Sequence, residues 1–457
     1  MTISRTIAAW MAAPRPLAEG EALRLARNAM IDIVGCMIAG AADLPTRRTL
    51  DAVRDVGTGP ASVVGDDIML AAPLAALVNG TAAHALDFDD NYHGVSGHAT
   101  AVLAPALLAL AEERKLGGRA VLDAYIAGLE AMLVVGSGVN IAHYQKGWHT
   151  TSTIGVIGAA AAAARLTGLD ADGVLRAMSL AFSHASGSKL QFGTMAKPFH
   201  AGMAAKNALM AARYAGAGLS AVEEPLEGPW SFRDLYIGDE ASPGYDAAAQ
   251  LLGPPLAIER FGLKVKVHPD CASTHCAVDG VLGLMGDNGL KAEDVERIDV
   301  QVNTISFDNL MFPAPESEME ARFSMEYAIA LAVVKGRLKL ADFRADGIFD
   351  PDVRAWLSRV AMTESPADAP LSAVPNGREP AKVTLHTTDG RSFERFVQYA
   401  KGVLQNPLAD DEMWSKYDDC TEGAMSKGDA TEVRAALERF EAIPDVSELM
   451  RLLRSAG

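Results

Sequence analysis

The sequence predicts a mainly α-helical protein, a large multi-helical domain into which a smaller α+β domain is inserted. Its 457 residues exceed what one ordinary hydrophobic core accommodates, so at least two domains are expected. Apolar residues recur at helical spacing through most of the first 265 residues, and strand-like alternation appears only afterwards. We therefore place the helical domain at 1–265, the α+β domain at 266–400, and C-terminal helices that rejoin the helical domain at 401–457.

The helical domain is predicted from long apolar segments that stop at glycine. "ALRLARNAMIDIVGCMIAG" and "AVLDAYIAGLEAMLVVGSGVN" both have apolar residues at helical spacing. A third segment, "IGVIGAAAAAARLTGLD", carries six consecutive alanines, Ala159 to Ala164. Because small side chains let neighbouring helices approach closely, we expect this helix to be buried in a tightly packed bundle.

The inserted domain is predicted from two strand signals with helical patterns between them. "ERIDVQVN" alternates as a strand, and "AKVTLHTTDGRSFERFVQY" predicts a hairpin that turns at Asp389-Gly390. The helical patterns are "STHCAVDGVLGLM", "SMEYAIALAVVKG" and "DPDVRAWLSRVA". Helical spacing returns in "NPLADDEMWSKY" and "ATEVRAALERFEAI", which we assign to the first domain. An inserted domain creates a cleft, and ligands tend to bind in clefts between domains.

Charge and cysteine content exclude several function classes. The net charge of −17 disfavours a nucleic-acid partner, because nucleic-acid binding needs clustered Lys and Arg. Four cysteines do not make a disulfide framework in so long a chain and suit a reducing compartment. The N-terminus lacks the pattern of a secretory signal, and apolar runs such as "AVLAPALLALA" fall short of the ~20 residues of a membrane span. We expect a cytoplasmic protein with no nucleic-acid or membrane partner.

Common cofactor and metal motifs are missing from the sequence. It contains no G-x-G-x-x-G after a strand, no Walker A sequence, no H-E-x-x-H and no G-x-S-x-G. "HPDCASTHC" brings two histidines and two cysteines together, but their spacing matches no standard zinc pattern. We expect no cofactor and no metal, and we interpret this segment as a packed helix start with buried thiols.

Histidines are concentrated in one part of the chain, since nine of the ten lie between residues 84 and 275. Four clusters place histidine beside glycine, lysine or proline at helix boundaries: "DFDDNYHGVSGH", "HYQKGWHTTSTIG", "MAKPFHAG" and "KVKVHP". An isolated histidine is usually a hydrogen-bonded structural residue. These clusters, however, together supply carboxylates, imidazoles, phenol and ammonium groups. That combination predicts proton-transfer chemistry on a small anionic substrate.

Five motifs in this order resemble the MmgE/PrpD family, which includes 2-methylcitrate dehydratases, cis-aconitate decarboxylases and iminodisuccinate epimerase. The motifs are "NGTAAHALDFDDNYHGVSGHA", "GWHTTSTIGVIGAAAAAARLTGL", "AKPFHAGMAAKNALMAARYAGAGL" followed by "PLEGPWSF", "KVHPDCASTHCAVDG" and "ARFSMEYAIALAVVKGRL". The resemblance covers nearly the whole chain. It implies a large multi-helical domain completed by the C-terminus, an inserted smaller α+β lid domain, and a homodimer.

The resemblance also implies a set of active-site positions and a shared chemistry. The positions are Asp87, Asn91, His98, His149, Lys197, Lys266 and Tyr327. Family members handle a weakly acidic C–H, or its equivalent, beside a carboxylate. Because charge then builds up on the carboxylate oxygens, cationic groups must stabilise it. We therefore expect Lys197 and Lys266 to hold substrate carboxylates rather than to be solvated surface lysines, with Asn91 and Tyr327 as further substrate-binding residues.

Proton transfer is assigned to the remaining side chains. His149 is the expected acid/base group, because imidazole titrates close to neutrality. His98 and Asp87 are expected to orient the substrate or relay a proton. Tyr144 lies five residues before His149 and is either a second catalytic group or an aromatic residue at a helix end. Asp90 is expected to cap a helix.

Three reactions remain open, namely epimerisation, dehydration and decarboxylation. Asn91 stands where the decarboxylases typically have threonine, and Ala99 follows His98 where they have proline. The dehydratase sequence Trp-Gly-His-Pro-Ser is also missing. These departures slightly favour an epimerase similar to iminodisuccinate epimerase, with a lyase of the same family as the alternative. A non-catalytic carboxylate-binding protein is a remote third interpretation, because binding alone does not need so many titratable groups.

Overall fold

The computed structural model describes residues 2–366, 371 and 379–454. The chain divides into two compact units. Unit 1 consists of Met1–Ala85, Asp89–Leu263 and Glu412–Gly457, and unit 2 of Leu86–Phe88 and Lys264–Asp411. The chain passes from unit 1 to unit 2 after Leu263 and back after Asp411, and three residues from the first half of the chain also belong to unit 2.

Helices dominate both units, which confirms the predicted mainly α class. They are α1 Ile3–Ala12, α2 Gly20–Gly40, α3 Leu44–Val53, α4 Ala72–Ala85, α5 Thr100–Arg114, α6 Gly118–Ser137, α7 Ala142–Gln145, α8 Thr150–Leu166, α9 Ala171–Phe182, α10 Ala196–Gly216, α11 Phe232–Ile237, α12 Tyr245–Ala249, α13 Ala257–Arg260, α14 Ala272–Asn288, α15 Thr304–Asn309, α16 Glu318–Ala321, α17 Met325–Lys335, α18 Ala345–Ile348, α19 Pro351–Trp356, α20 Asp410–Thr421, α21 Lys427–Glu438 and α22 Ser447–Arg454. The strands are β1 Thr58–Ser62, β2 Met69–Leu70, β3 Asn91–Tyr92, β4 Leu263–Lys264, β5 Val295–Val302, β6 Val360–Glu364, β7 Ala381–Thr387 and β8 Ser392–Val397.

The alanine-rich helix α8 lies at the centre of unit 1. Its alanines 159–164 are fully buried, and it packs against α5, α6, α9 and α10. The expectation of a buried helix in a tight bundle is therefore confirmed. This central position also fixes the N-terminal end of α8, where His149 precedes the first turn.

Helices α4 and α10 pack closely because glycines face each other where they meet. A Cβ atom on Gly80 would lie 2.8 Å from the Cα of Gly202, and a Cβ on Gly202 would overlap the carbonyl of Leu77. Only glycine fits such a contact without moving the backbone. The contact brings the last turn of α4, with His84, near the first turn of α10, with Lys197.

Helix α6 is long and apolar enough to cross a membrane by length and composition alone. However, 83% of its most apolar window is buried inside the protein, as in a core helix. Helices α2 and α3 pass the same test only as a pair, and they are bent by 80° at the break between them. These observations are weak evidence for a membrane span.

The C-terminal helices α20–α22 belong to unit 1. Lys416 of α20 forms a buried ion pair with Asp32 of α2, with 2.5 Å between Nζ and Oδ1. Cys420, one turn further along, lies against Gly35 of the same partner helix. The C-terminus thus completes the core of unit 1 through contacts with its second helix.

Unit 2 contains a four-stranded sheet in the order β6-β5-β7-β8. β7 and β8 form the predicted hairpin, and Gly390 in its turn has a φ of 86°. Helix α14 packs against both of these strands. One prediction for this unit was wrong: the helix expected over "DPDVRAWLSRVA" ends at Trp356, and Val360 begins β6, which pairs parallel to β5. Local periodicity missed this strand because its pairing partner lies about sixty residues earlier in the chain.

Candidate active site

Four imidazole rings lie in contact in unit 1, and we call them the four-histidine cluster: His84, His98, His149 and His200. The ring centroids are 4.3 Å apart for His84 and His98, 5.9 Å for His84 and His149, and 5.3 Å for His149 and His200. The cluster joins the end of α4, the loop before α5, the start of α8 and the start of α10. It therefore unites three of the four histidine-containing motifs that the sequence separates.

Asp89 holds two members of the cluster with one carboxylate. His84 Nδ1 lies 2.9 Å from Asp89 Oδ1, and His98 Nδ1 lies 2.9 Å from Asp89 Oδ2. Asp89 is fully buried. A carboxylate at Nδ1 fixes a neutral imidazole with its hydrogen on that nitrogen, so that Nε2 is left as the acceptor. The amide nitrogen of Asn91, 3.4 Å from His98 Nε2, agrees with this tautomer.

The backbone N–H groups of two cluster members, His98 and His149, form hydrogen bonds near the start of α8. The His98 N–H donates to the hydroxyl of Thr151 at 3.0 Å. The His149 N–H donates to the carbonyl of Gly187 at 3.0 Å. His98 is therefore held by the first turn of α8, and His149, the residue before that turn, is held through Gly187.

His149 is a buried member of the cluster that contacts two aromatic rings. Its Nδ1 lies 3.1 Å from Nδ1 of His200, and Phe192 packs edge-on against its ring at 5.1 Å. Its Nε2 is buried and has no hydrogen-bond partner among the described residues. A buried polar atom without a partner is costly unless a ligand satisfies it. An acid/base role for His149 stays a prediction.

Lys197 lies in the first turn of α10 and is only 4% exposed. Its ammonium group is 5.1 Å from the centre of the Phe192 ring, the same ring that packs against His149. Lys197 is thus not a solvated surface lysine. An ammonium group beside neutral imidazoles favours the binding of an anion.

Burial keeps most of the cluster uncharged near neutral pH. It lowers the pKa of His84 to about 4, against the opposing effect of Asp89. Burial, followed by repulsion from His84, His200 and Lys197, lowers the pKa of His149 well below its ordinary value. Burial raises the pKa of Asp89, but contact with His84 and His98 outweighs it and holds that pKa well below the usual range. Together, the four-histidine cluster, Asp89 and Lys197 therefore comprise one carboxylate, one ammonium group and several neutral imidazoles.

Two further predicted site residues, Asp87 and Lys266, form an ion pair within unit 2. Lys266 Nζ lies 3.2 Å from Asp87 Oδ1 and donates to the Asp87 carbonyl at 2.5 Å. Lys266 is fully buried, so it is not a solvated surface lysine either. Asp87 has a φ of 51°, a left-handed conformation that aspartate tolerates better than most residues. Such strained positions are often found at functional sites.

The two predicted tyrosines have different surroundings. The Tyr327 hydroxyl donates to the carbonyl of Asp342 at 2.6 Å, and its ring packs against Phe343 inside unit 2. This arrangement favours a structural role, and substrate binding by Tyr327 stays a prediction. Tyr144 lies on α7 in unit 1, with the ammonium of Lys189 3.8 Å from its ring centre. Its catalytic role also stays a prediction.

Asp90 does not cap α5, contrary to expectation. Its carboxylate accepts a hydrogen bond from the hydroxyl of Thr100 at 2.6 Å, and that hydroxyl also contacts Tyr125 at 2.7 Å. The residue before α5 is Ala99, which makes no side-chain cap. Burial, with the nearby charge of Asp32, raises the pKa of Asp90 well above its usual range. Asp90, the residue after Asp89, is thus a buried structural carboxyl group.

The "HPDCASTHC" segment forms the start of α14, as expected. His268 Nε2 lies 3.1 Å from Asp279, and His275 Nε2 lies 3.0 Å from Asp270. Cys276 is buried, which raises its pKa to about 12. The histidines of this segment therefore face carboxylates in the same unit.

Among the described residues, His84, Asp89 and His98 have ligand atoms within 4.8 Å of one another and could hold a metal ion. Shared contacts with Asp89 explain this spacing without one, and the expectation of a metal-free site stays a prediction. His84, Asp89 and His200 were not singled out as site residues from the sequence. The available signal was their place in motifs already identified, His84 and Asp89 in "NGTAAHALDFDDNYHGVSGHA" and His200 in "MAKPFHAG".

Both halves of the chain match models of one protein family. Residues 5–243 match the model of the MmgE/PrpD N-terminal domain, and residues 268–442 match that of the MmgE/PrpD C-terminal domain. Cis-aconitate decarboxylase of Mus musculus is 28% identical over 401 residues, which cover 85% of this chain and 80% of the mouse protein. The Homo sapiens enzyme is 29% identical over 404 residues, with the same coverage. Cis-aconitate decarboxylase of Aspergillus terreus is 24% identical over 454 residues, which cover 95% of this chain and 92% of the fungal protein.

Proposed function

The chain belongs to the MmgE/PrpD family, and from that premise we propose that it is a lyase that removes carbon dioxide from cis-aconitate or a closely similar unsaturated tricarboxylate. The observation that carries the proposal is the similarity to cis-aconitate decarboxylases of mammals and a fungus along most of each chain. It favours the lyase over the slight preference for an epimerase, which rests on Asn91, Ala99 and the missing dehydratase sequence.

Substrate binding follows from the charges of unit 1. The Lys197 ammonium attracts a carboxylate, and the neutral imidazoles around it do not compete for that charge. Because burial keeps its pKa low, His149 meets the substrate as a neutral imidazole that carries one hydrogen.

The chemical step requires one proton at carbon. When the C–C bond to the leaving carboxylate breaks, carbon dioxide departs and the electron pair spreads onto the unsaturated carboxylate that remains. That pair then forms a C–H bond with the proton on His149 Nε2. His98, held through Nδ1 by Asp89, presents Nε2 beside Asn91 to orient the substrate.

An epimerase of the iminodisuccinate type is the second candidate. Asn91 and Ala99 differ from the pattern of the decarboxylases in the loop that carries His98. Epimerisation needs acid/base groups on both faces of one carbon, and Tyr144 or His149 opposite a lysine would provide them.

The proposal is tested by incubating the purified protein with cis-aconitate, 2-methylcitrate and iminodisuccinate in deuterated buffer. We expect carbon dioxide release from cis-aconitate, with one deuterium at carbon in the dicarboxylate product. His386→Gln, on the sheet of unit 2 beside Asp299 and Ser392, is a control that should keep full activity. Deuterium exchange with inversion of iminodisuccinate, without carbon dioxide release from cis-aconitate, would instead identify the epimerase. Clean dehydration of 2-methylcitrate would identify the dehydratase.

A further inference from the structure

A pair of imidazoles connects the buried His149 with the surface of unit 1. His149 is 2% exposed, whereas His200 is partly exposed. Their Nδ1 atoms are 3.1 Å apart, within hydrogen-bond distance. Each nitrogen can be donor or acceptor, but only one of the two can carry the hydrogen that joins them.

The shared hydrogen has two possible positions, and each gives His149 a different role. If it belongs to His200, His149 carries its own hydrogen on Nε2 and is an acid. If it belongs to His149, Nε2 has a lone pair and is a base. Burial lowers the pKa of His200 to about 4 and that of His149 well below its usual range, so both rings are neutral near pH 7. Two neutral rings can share one hydrogen, whereas two imidazolium rings cannot.

Gly187 sets the spacing of this pair. Its carbonyl accepts the N–H of His149, and a Cβ atom on it would lie 3.2 Å from Nδ1 of His200. Its φ of +123° is one that other residues rarely adopt. The Ser152 hydroxyl, on the first turn of α8, donates to the His200 carbonyl at 3.4 Å. Backbone and side-chain contacts thus hold both rings in place.

We propose that His200 relays a proton between solvent and His149 while substrate occupies the site. His200 acts through His149 and is a positioning residue. The inference rests on the proposed function, because decarboxylation consumes one solvent proton for each molecule of product. It does not depend on which unsaturated carboxylate is the substrate.

Within one turnover, each proton that leaves His149 or His200 is replaced. His149 gives the proton on Nε2 to the substrate carbon, and its Nδ1 takes the hydrogen of His200 Nδ1. His200 takes a proton at Nε2 from water, so one proton has moved from solvent to carbon and both rings are neutral again. After product leaves, the hydrogen returns to His200 Nδ1, His149 Nε2 takes a proton from water, and His200 Nε2 returns one to water.

The test compares His200→Ala with wild-type protein on cis-aconitate, with and without added imidazole. We expect kcat to fall by roughly 10²-fold, the lower end of the effect of losing acid/base assistance, with little change in KM. Because His200 is partly exposed, free imidazole should reach the vacated position and restore at least part of kcat. The matched control is His184→Ala, a partly exposed histidine after α9, whose rate should be normal and insensitive to imidazole. A folded His200→Ala protein with normal kcat, or with a low kcat that imidazole does not raise, would overturn the relay.

A second measurement is independent of turnover. In protein labelled with ¹⁵N-histidine, we expect the Nδ1 signals of His149 and His200 to show a hydrogen shared between them. In His200→Gln, His149 should then show a single fixed tautomer. Two fixed tautomers in the wild-type protein would contradict the relay. If wild-type protein releases no carbon dioxide from cis-aconitate, the proposed function fails and this spectroscopic result alone decides the relay.

Discussion

The two groups of buried ionisable side chains differ in how their charges are matched. Around the start of α14 in unit 2, each lysine or histidine has its own carboxylate partner. The pairs are Lys264–Glu379 at 3.4 Å, Lys266–Asp87 at 3.2 Å, His268–Asp279 at 3.1 Å and His275–Asp270 at 3.0 Å. In the four-histidine cluster of unit 1, His84 and His98 share Asp89, and His149 contacts another imidazole instead.

This difference separates stability from reactivity. A matched buried pair neutralises itself, and removing one partner leaves an uncompensated charge that is expensive to bury. In the four-histidine cluster the imidazoles outnumber the one carboxylate, so most of them remain neutral until a substrate anion or a proton arrives. We therefore expect substitutions in the paired group to affect folding most and substitutions in the cluster to affect turnover most.

The largest effect is expected for His149→Gln. Glutamine keeps a polar side chain but cannot transfer protons, so kcat should fall by about 10²–10⁴-fold while the protein stays folded. Steady-state kinetics on cis-aconitate together with circular dichroism measure both quantities. A folded variant with nearly normal kcat would show that His149 is structural and would remove the distinction between the two groups.

The next effect concerns the two lysines. Lys266→Met should lower the free energy of unfolding by about 3–5 kcal/mol, because Asp87 is left buried without its partner. Asp87→Asn in the same protein should recover much of that loss. Lys197→Met should instead raise KM for a carboxylate substrate, because it removes the positive charge that faces the neutral histidines. Urea unfolding and kinetics of both variants measure these changes, and the reverse pattern would contradict the comparison.

A smaller effect is expected for Asp89→Asn. The amide oxygen can accept from one imidazole, but its NH₂ group faces the other, so one histidine must change tautomer. A hydrogen bond to a charged group contributes roughly 1.5–3 kcal/mol, which corresponds to a loss in kcat/KM of about 10–100-fold. Histidine ¹⁵N spectra should show the changed tautomer. An unchanged spectrum with unchanged kinetics would mean that Asp89 does not position the cluster.

The smallest effect concerns acid stability and His143, a buried histidine outside the cluster that packs against Trp148 and Tyr236. Burial lowers its pKa to about 3. Below about pH 6.5, the His143 imidazole binds a proton in the unfolded chain but not in the folded protein. Its contribution to the free energy of unfolding is therefore complete above pH 6.5 and is lost as the pH falls towards 3. His143→Phe should reduce the slope of unfolding free energy against pH by about 1.4 kcal/mol per unit between pH 6 and 4. His386→Phe is the control, and equal slopes in both variants would show that His143 is not the residue responsible.

Much of the site could be predicted from the sequence, because its histidines and lysines stand beside glycine and proline at helix ends. The resemblance to the MmgE/PrpD family then implies His98, His149 and Lys197, which lie together in unit 1. His84 and His200 stand in motifs that the sequence singles out, but neither was assigned a role, because a histidine within a helix is usually structural. Their role depends on the close packing of α4 against α10, and the glycines that allow it look like any other helix glycines in the sequence.

The sequence by itself determined the mainly helical class, the buried alanine helix and the β-hairpin, because each depends on local periodicity or turn chemistry. Only the tertiary structure decided what the three aspartates of "DFDD" do. Asp87 pairs with Lys266, Asp89 holds His84 and His98, and Asp90 accepts from Thr100. The backbone at Asp87 is left-handed, and all three aspartates have partners outside the loop that carries them. Identical carboxylates three residues apart or fewer acquire their roles from these partners, and partners brought together by packing leave no local pattern in the sequence.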